Sequence, residues 1–194
     1  MTKQATLFPQ KESTVVAELS LAEAAKIANE IEEAIETYCD KVEVAGSIRR
    51  QKPLVHDIDF VVVAKSNADW PRINEVLKRL EAKRYCSGNQ TIKAYLPCQN
   101  GFFQVDFYRA KPSTFGIQLL IRTGSAEHNM WLAGYSISKG MRLKYSEGLM
   151  KASAPIAVQD EKGIFSALGL PFPLPAEREI VNKKPMWLTH ENHQ

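Results

Sequence analysis

The chain has 194 residues, 44% of them hydrophobic and 24% charged, and a formal net charge of +3 at pH 7. This length allows one or two small domains with a genuine core, and the mild charge permits a nucleic-acid partner without requiring one. Three scattered cysteines without a CxxC pair favour a reduced setting, and no segment resembles a signal peptide or a membrane span. We therefore expect a soluble, cytoplasmic protein.

The first predicted helix follows a segment without clear periodicity. Residues 1–19 are accordingly predicted to form a loose arm. Ser20 and Glu23 have the spacing of a capping box, in which each side chain satisfies a backbone donor of the other residue. Apolar residues then recur at helical spacing, which predicts an amphipathic helix over residues 21–38.

Two strands around a turn are predicted next. The alternating residues 42–44 indicate a short strand, and Gly46 and Ser47 interrupt it. The apolar, β-branched run over residues 58–63 is typical of a buried strand.

Two aspartates, Asp57 and Asp59, stand at the mouth of the second strand. Successive side chains of a strand point to opposite faces, so these two carboxylates project the same way. Adjacent like charges are unfavourable unless they are neutralised, and Mg²⁺ suits one or two carboxylates plus a substrate phosphate. The Gly-Ser turn and Arg49-Arg50 ahead of them are suited to holding that phosphate.

A second helix and a β-hairpin are predicted after the buried strand. Helical spacing indicates the helix over residues 70–83, whose basic side chains either keep it soluble or contact nucleic acid. Strands over residues 91–96 and 102–108 flank Asn100-Gly101, a strong short-range hairpin signal.

A third carboxylate, Asp106, lies on the second hairpin strand. It points away from its apolar neighbours in that strand, so it would converge with Asp57 and Asp59 if the two strands were adjacent. Three carboxylates beside a phosphate-binding turn suit metal-assisted phosphoryl or nucleotidyl transfer. An Asp-x-Asp pair by itself is also common at a solvated strand end.

The remaining chain begins at a boundary marked by Pro112 and Ser113. Its pattern predicts three helices and one hairpin, followed by a proline-rich extended segment. In chain order these are a helix over residues 114–121, a helix over 126–139 capped by Ser125 and closed by Gly140, a hairpin over 141–150, a helix over 162–168, and a partly ordered tail over 181–194.

The motifs together resemble the nucleotidyltransferase superfamily and, within it, the DNA polymerase beta-like family X, over residues 21–178. They are, in chain order, Gly46-Ser47-x-Arg49-Arg50, Asp57-x-Asp59, Gln104-Val105-Asp106, Arg122-Thr123-Gly124-Ser125 leading into Glu127-His128-Asn129, and IFSALGLP at residues 164–171. The resemblance implies an α/β (α+β) fold. It would consist of a nucleotidyltransferase palm, with a small mixed sheet and flanking helices, followed by a small α+β thumb.

The resemblance also implies an activity. The chain would be a metal-dependent DNA polymerase that adds nucleotides from dNTPs to a DNA 3′-hydroxyl and releases pyrophosphate, in short-gap repair synthesis or end extension. Asp57, Asp59 and Asp106 would be catalytic and would bind two Mg²⁺ or Mn²⁺ ions. Asp106 would bind the catalytic ion and help to activate the primer hydroxyl.

Further residues would bind the nucleotide. They are Gly46, Ser47 and Arg50 at the phosphates, Thr123 and Gly124 beside the sugar, and Asn129 at the edge of the base. Additional phosphate contacts are expected from Arg49, His56 and Arg122. The alternatives are a structural cation for Arg49 and an incidental rim residue for His56.

The sequence departs from the family's pattern in two places. His56 precedes Asp57 where family members often have glycine. Ile121 and Arg122 replace an aromatic pair that helps polymerase beta-like enzymes to exclude ribonucleotides. We therefore expect weaker discrimination between deoxy- and ribonucleotides.

The expected organisation is a loose arm over residues 1–19, a palm over 20–112, a thumb and nucleotide-binding domain over 113–180, and the tail. We expect a minimal palm-and-thumb form, comparable to the smallest viral members, without the family's lyase domain or the bacterial members' phosphoesterase domain. The expected partners are nucleoside triphosphates and DNA, as a primer end with template or gapped duplex. We expect a monomer that does not contact membranes.

Two other functions remain open from the sequence. One is a nucleotidyltransferase that acts on a small molecule, a protein or an RNA end. The other is a catalytically idle nucleic-acid-binding relic. The three carboxylates argue against the relic, and the thumb-like second half argues against a small-molecule acceptor.

Overall fold

The structure is a computed structural model that describes residues 17–98, 101–181 and 183–189. The helices are α1 (Leu21–Ile35), α2 (Gly46–Arg49), α3 (Arg72–Arg79), α4 (Phe115–Thr123), α5 (Ala126–Ser138), α6 (Glu161–Ala167) and α7 (Met186–Thr189). The strands are β1 (Leu19–Ser20), β2 (Cys39–Val44), β3 (Leu54–Val55), β4 (Asp57–Ala64), β5 (Lys83–Ser87), β6 (Thr91–Cys98), β7 (Gly101–Arg109), β8 (Met141–Lys144), β9 (Gly148–Lys151), β10 (Ala154–Pro155), β11 (Ile180–Val181) and β12 (Lys184–Pro185).

A five-stranded mixed sheet forms the centre of the first half, in the order β2-β4-β7-β6-β5. Strands β4 and β7 are parallel, and the other neighbouring pairs are antiparallel. Alternation along β4 divides its apolar residues between the two faces, as a strand buried on both sides requires. This confirms the predicted mixed sheet.

Helices α1 and α3 cover one face of this sheet. Phe60 of β4 and Phe107 of β7 stack there with ring centroids 5.0 Å apart, against the apolar stripe of α1 that includes Ile31 and Ile35. The predicted capping box of α1 is present, because Ser20 Oγ accepts from the amide of Glu23 and the Glu23 carboxylate accepts from the amide of Ser20.

Helix α4 covers only part of the opposite face. Phe115 and Leu119 pack over Val61 and Val63, in the C-terminal half of β4. Asp57 and Asp59, at the N-terminal end of β4, lie outside this contact and are partly exposed.

The second half has its own core. Helices α4, α5 and α6 pack around the small sheet of β8, β9 and β10. Trp187 of α7 closes this core, with its ring edge-on to Trp131 and Phe165 at 5.8 and 6.0 Å. Within the described ranges, no helix combines the length and the apolar character that a membrane crossing requires.

Several predicted boundaries need correction. The helix expected to reach residue 83 ends at Arg79, and Lys83 begins the edge strand β5, which the sequence interpretation missed. The predicted Gly46-Ser47 turn is the start of the short helix α2. Part of the predicted arm belongs to the fold, since β1 pairs with β3; residues 1–16, Asn100 and 190–194 lie outside the described residues.

Candidate active site

Three carboxylates lie on the same face of the central sheet, two of them partly exposed and Asp106 buried. In the parallel β4–β7 ladder, Asp59 lies directly opposite Asp106, and Asp57 lies opposite Gln104. Because side chains alternate along each strand, all three aspartates project to the same side. The strand pairing on which the predicted convergence depended is therefore present.

Gly46 allows Asp59 to adopt its position. The amide of Ala45 donates to the Asp59 carbonyl at 2.8 Å, which brings the start of α2 against β4. Gly46 has φ +59°, and a Cβ atom there would lie 2.1 Å from Oδ2 of Asp59. Only glycine fits this left-handed conformation beside the carboxylate without displacing it.

Two carboxylates of the acidic cluster have raised pKa values. Burial, followed by the charges of Asp57 and Asp106, raises the pKa of Asp59 to about 7. Burial and the charge of Asp106 also raise the pKa of Asp57. Such shifts mark carboxylates that would ionise more readily beside an added cation.

Asp106 is almost fully buried and accepts hydrogen bonds on both oxygens. Gln104 Nε2 donates to Oδ1 at 2.9 Å, while Lys93 Nζ and the Tyr108 hydroxyl donate to Oδ2 at 2.5 and 2.9 Å. Burial alone would lower the pKa of Lys93, but the hydrogen bond and charge of Asp106 raise it. Burial and the charges of Asp59 and Asp106 raise the pKa of Tyr108, which keeps its hydroxyl a donor.

The carboxylates suit a divalent cation by their chemistry, although no ready-made site is formed. Among residues 17–98, 101–181 and 183–189, no three His, Cys, Asp or Glu side chains are grouped closely enough to hold a metal ion. The three oxygen donors on one face and the raised pKa values of two of them nevertheless fit Mg²⁺ or Mn²⁺.

The predicted phosphate-binding residues lie beside this cluster and differ in their contacts and exposure. Ser47 Oγ is buried and has no hydrogen-bond partner within the described part of the chain. Arg50 instead donates from Nη1 to the Thr123 carbonyl, and its Nε lies 3.3 Å from Glu179 Oε1. His56 is largely exposed and lies 3.3 Å from Glu18. Their contacts with phosphate stay predictions.

Arg49 joins the two halves of the molecule. It donates to Glu161 of α6 through Nη1 and Nη2 at 2.9 and 2.6 Å, and Nη1 also donates to Thr123 Oγ1 at 2.7 Å. The fully buried Arg178 donates to Glu161 Oε1 at 2.6 Å. Burial alone would raise the pKa of Glu161, but hydrogen bonds from both arginines lower it. These contacts correspond to the structural-cation alternative for Arg49.

The predicted sugar and base contacts follow α4. Thr123 is buried, and Gly124 has φ +52° and precedes a cis peptide bond to Ser125. Asn129 Nδ2 donates to the Ile121 carbonyl at 2.7 Å, while its Oδ1 has no partner among the described residues. Asn129 is therefore partly held by the helix before it, and its role toward a base stays a prediction.

Arg122 occupies the side of the acidic cluster. Its guanidinium lies 3.6 Å from the ring centroid of Tyr108, in a cation–π contact. Its charge also opposes the rise in the pKa of Asp59. Arg122 thus lies next to the acidic cluster, and its contact with phosphate stays a prediction.

Three residues of the site were not predicted from the sequence: Lys93, Glu161 and Arg178. Lys93 is the direct cross-strand partner of Asp106 in the β6–β7 hairpin, so the hairpin register could have indicated it. Glu161 and Arg178 are more than 110 residues from Arg49 along the chain, and no local pattern joins them.

Comparisons with known proteins agree with this arrangement. A sequence model described as the DNA polymerase beta thumb matches residues 118–179. The curated DNA polymerase/3′-5′ exonuclease PolX of Bacillus subtilis (strain 168) is 27% identical over 161 residues, which are 80% of this chain. The aligned region is only 28% of that protein, so the chain spans a minor part of its length.

Solved structures share the fold. A crystal structure of Leishmania infantum polymerase beta in a ternary P/T complex has a TM-score of 0.75 at 19% identity, covering 86% of this chain and 78% of that one. A ternary gap complex of the same polymerase has a TM-score of 0.74 at 18% identity, covering 84% and 71%. The chain is therefore similar to polymerase beta in fold, to the DNA polymerase beta thumb over residues 118–179, and to PolX in sequence.

Proposed function

We propose that the chain is a metal-dependent nucleotidyltransferase that extends a DNA 3′-hydroxyl with nucleotides from dNTPs and releases pyrophosphate. The observation that carries the proposal is the placement of Asp57, Asp59 and Asp106 on one face of the sheet, with Asp59 opposite Asp106. Burial and mutual repulsion raise the pKa of two of these carboxylates, which favours a bound cation.

The residues divide the chemistry between them. Two divalent ions would supply charge stabilisation for the transferring phosphoryl group and hold the reacting oxygens in line. Asp57 and Asp59 would bind both ions, and Asp106 would bind the one beside the primer hydroxyl. Ser47 would donate its free hydroxyl to the triphosphate.

We assign the palm to residues 20–112 and the thumb to residues 113–180. Support comes from the separate apolar cores of the two parts and from the thumb match over residues 118–179. The DNA would be held in part by three exposed basic residues of the thumb, Lys139, Arg142 and Lys144. Because phosphate contacts release counterions, binding should weaken steeply with salt.

Weak sugar discrimination is proposed as a second property of this site. Ile121 and Arg122 supply no aromatic ring at the positions where polymerase beta-like enzymes have an aromatic pair. Arg122 is instead engaged with Tyr108. Single-nucleotide incorporation with matched dNTP and rNTP measures the ratio, and strong rejection of ribonucleotides would refute this part.

Primer extension tests the proposal directly. Labelled primers, with and without template and with Mg²⁺ or Mn²⁺, should be extended by the wild-type protein and left unextended by an Asp106→Ala variant. Asp40→Ala, which removes an exposed carboxylate from β2, is the matched control and should retain activity. If the wild-type protein, like Asp106→Ala, extends none of the primers, the polymerase proposal fails. Label transferred to RNA or protein instead would favour the alternative acceptors.

A further inference from the structure

Lys93 and Asp106 form an ion pair in the centre of the candidate active site. They are direct cross-strand partners in the β6–β7 hairpin, and Nζ lies 2.5 Å from Oδ2. The Asp106 side chain is 2% exposed, whereas the Lys93 side chain is 35% exposed. The carboxylate is therefore fixed, and the lysine has a path toward solvent.

The other donors to Asp106 are neutral. Gln104 holds Oδ1, and the Tyr108 hydroxyl shares Oδ2 with Lys93. A neutral donor leaves the charge of the carboxylate available to an incoming cation. The ammonium of Lys93 does not, because it neutralises Asp106 and would repel a second cation at the same oxygen.

The charge of Lys93 acts on the whole acidic cluster. It opposes the rise in the pKa of Asp57 and of Asp59. Arg122 also acts on Asp59, but its guanidinium is stacked on Tyr108. Lys93 thus provides, in hydrogen-bond contact with one member, part of the positive charge that the three carboxylates need.

We propose that Lys93 is a positioning residue that acts as a tethered counter-ion for Asp106 and leaves this carboxylate when a divalent cation binds. The inference rests on the proposed metal-dependent function. A lysine suits this role because its ammonium is a compact charge on a flexible stem, which can swing away without disturbing the strand. Removing the charge of Lys93 should strengthen metal binding and lower the stability of the metal-free protein.

Direct Mn²⁺ binding, measured by electron paramagnetic resonance without nucleotide or DNA, tests the proposal. The variants are Lys93→Met, the more conservative Lys93→Gln, and Asp106→Asn. Lys83→Met is the matched control, since it removes one exposed positive charge from the adjacent strand β5. All variants are compared with wild type at one ionic strength.

We expect both Lys93 variants to bind Mn²⁺ about tenfold more tightly than wild type, which corresponds to about 1.4 kcal/mol. The Lys83→Met variant should stay within about twofold, because its charge is not paired with Asp106. In EDTA the Lys93 variants should melt at a lower temperature than wild type, and Mn²⁺ should raise their melting temperature by a larger increment.

The outcomes separate this inference from the proposed function. Unchanged or weaker Mn²⁺ binding by both Lys93 variants overturns the inference, as does an equal gain in Lys83→Met. If Asp106→Asn abolishes a binding site while Lys93 substitution has no effect, only the role of Lys93 fails. If Asp106→Asn leaves Mn²⁺ binding unchanged and the wild type extends no primer, the metal-dependent function itself fails.

Discussion

Replacing Gly46 by alanine should disable the acidic cluster while leaving the protein folded. Two effects act at this position. Alanine at φ +59° is strained, and its Cβ atom would meet Oδ2 of Asp59 at 2.1 Å. The first effect lowers stability, and the second displaces a carboxylate that the proposed chemistry needs.

The structure sets the size of each effect. A non-glycine residue in the left-handed region costs about 1–2 kcal/mol. Real Cβ contacts stay beyond 3.0 Å, so the Asp59 carboxylate has to move by about 0.9 Å, the difference between 3.0 and 2.1 Å. A misplacement of about 1 Å can reduce a catalysed rate about 100-fold.

Gly140→Ala provides the matched control. Gly140 also has a positive φ, +70°, but nothing lies within 4 Å of its Cβ position. Urea unfolding should therefore show a loss of about 1–2 kcal/mol in both variants. The rate of primer extension should fall about 100-fold in Gly46→Ala only. If Gly46→Ala extends primers within about threefold of Gly140→Ala, the contact between Gly46 and Asp59 does not control the site, and the reasoning is refuted.

Three further predictions concern buried polar groups. Glu161→Ala should lower the free energy of unfolding in urea by about 3–5 kcal/mol, because it leaves the buried Arg178 charge uncompensated. Glu147→Ala, on the surface, should lower it by less than about 1 kcal/mol. Equal losses would contradict the assigned ion network. Burial and the Arg178 charge lower the pKa of His128 from 6.5 to about 4. Between pH 6.5 and 4 the unfolded chain therefore binds more protons at this histidine than the folded chain does. The free energy of unfolding should fall by about 3 kcal/mol as the pH drops from 6.5 to 4. His128→Phe should remove that part of the pH dependence, and an unchanged slope between pH 6.5 and 4 would count against it. Ser47→Ala should leave the melting temperature unchanged, because the Ser47 hydroxyl has no hydrogen-bond partner among the described residues. The same variant should raise the KM for dNTP. An unaltered KM would show that Ser47 is not part of the phosphate site.

Local patterns were sufficient for most helices and strands of the fold. The capping box at Ser20 and Glu23 and the apolar stripe of α1 both depend on contacts within one turn or two, which the sequence carries directly. The edge strand β5 was missed because its five residues carry no alternation strong enough to outweigh the preceding helical pattern. Pairing with β6, a non-local contact, makes this segment a strand.

For the site, the sequence alone determined that Asp57 and Asp59 share a face, because alternation along a strand is a local property. Only the tertiary structure decided that β4 and β7 are parallel neighbours, and this pairing places Asp106 opposite Asp59. The same holds for the capture of Arg49 by Glu161 from the other half of the chain, and for the ammonium of Lys93 on Asp106. These contacts depend on how separate elements pack, and packing is set by the summed burial of the whole chain rather than by any one motif.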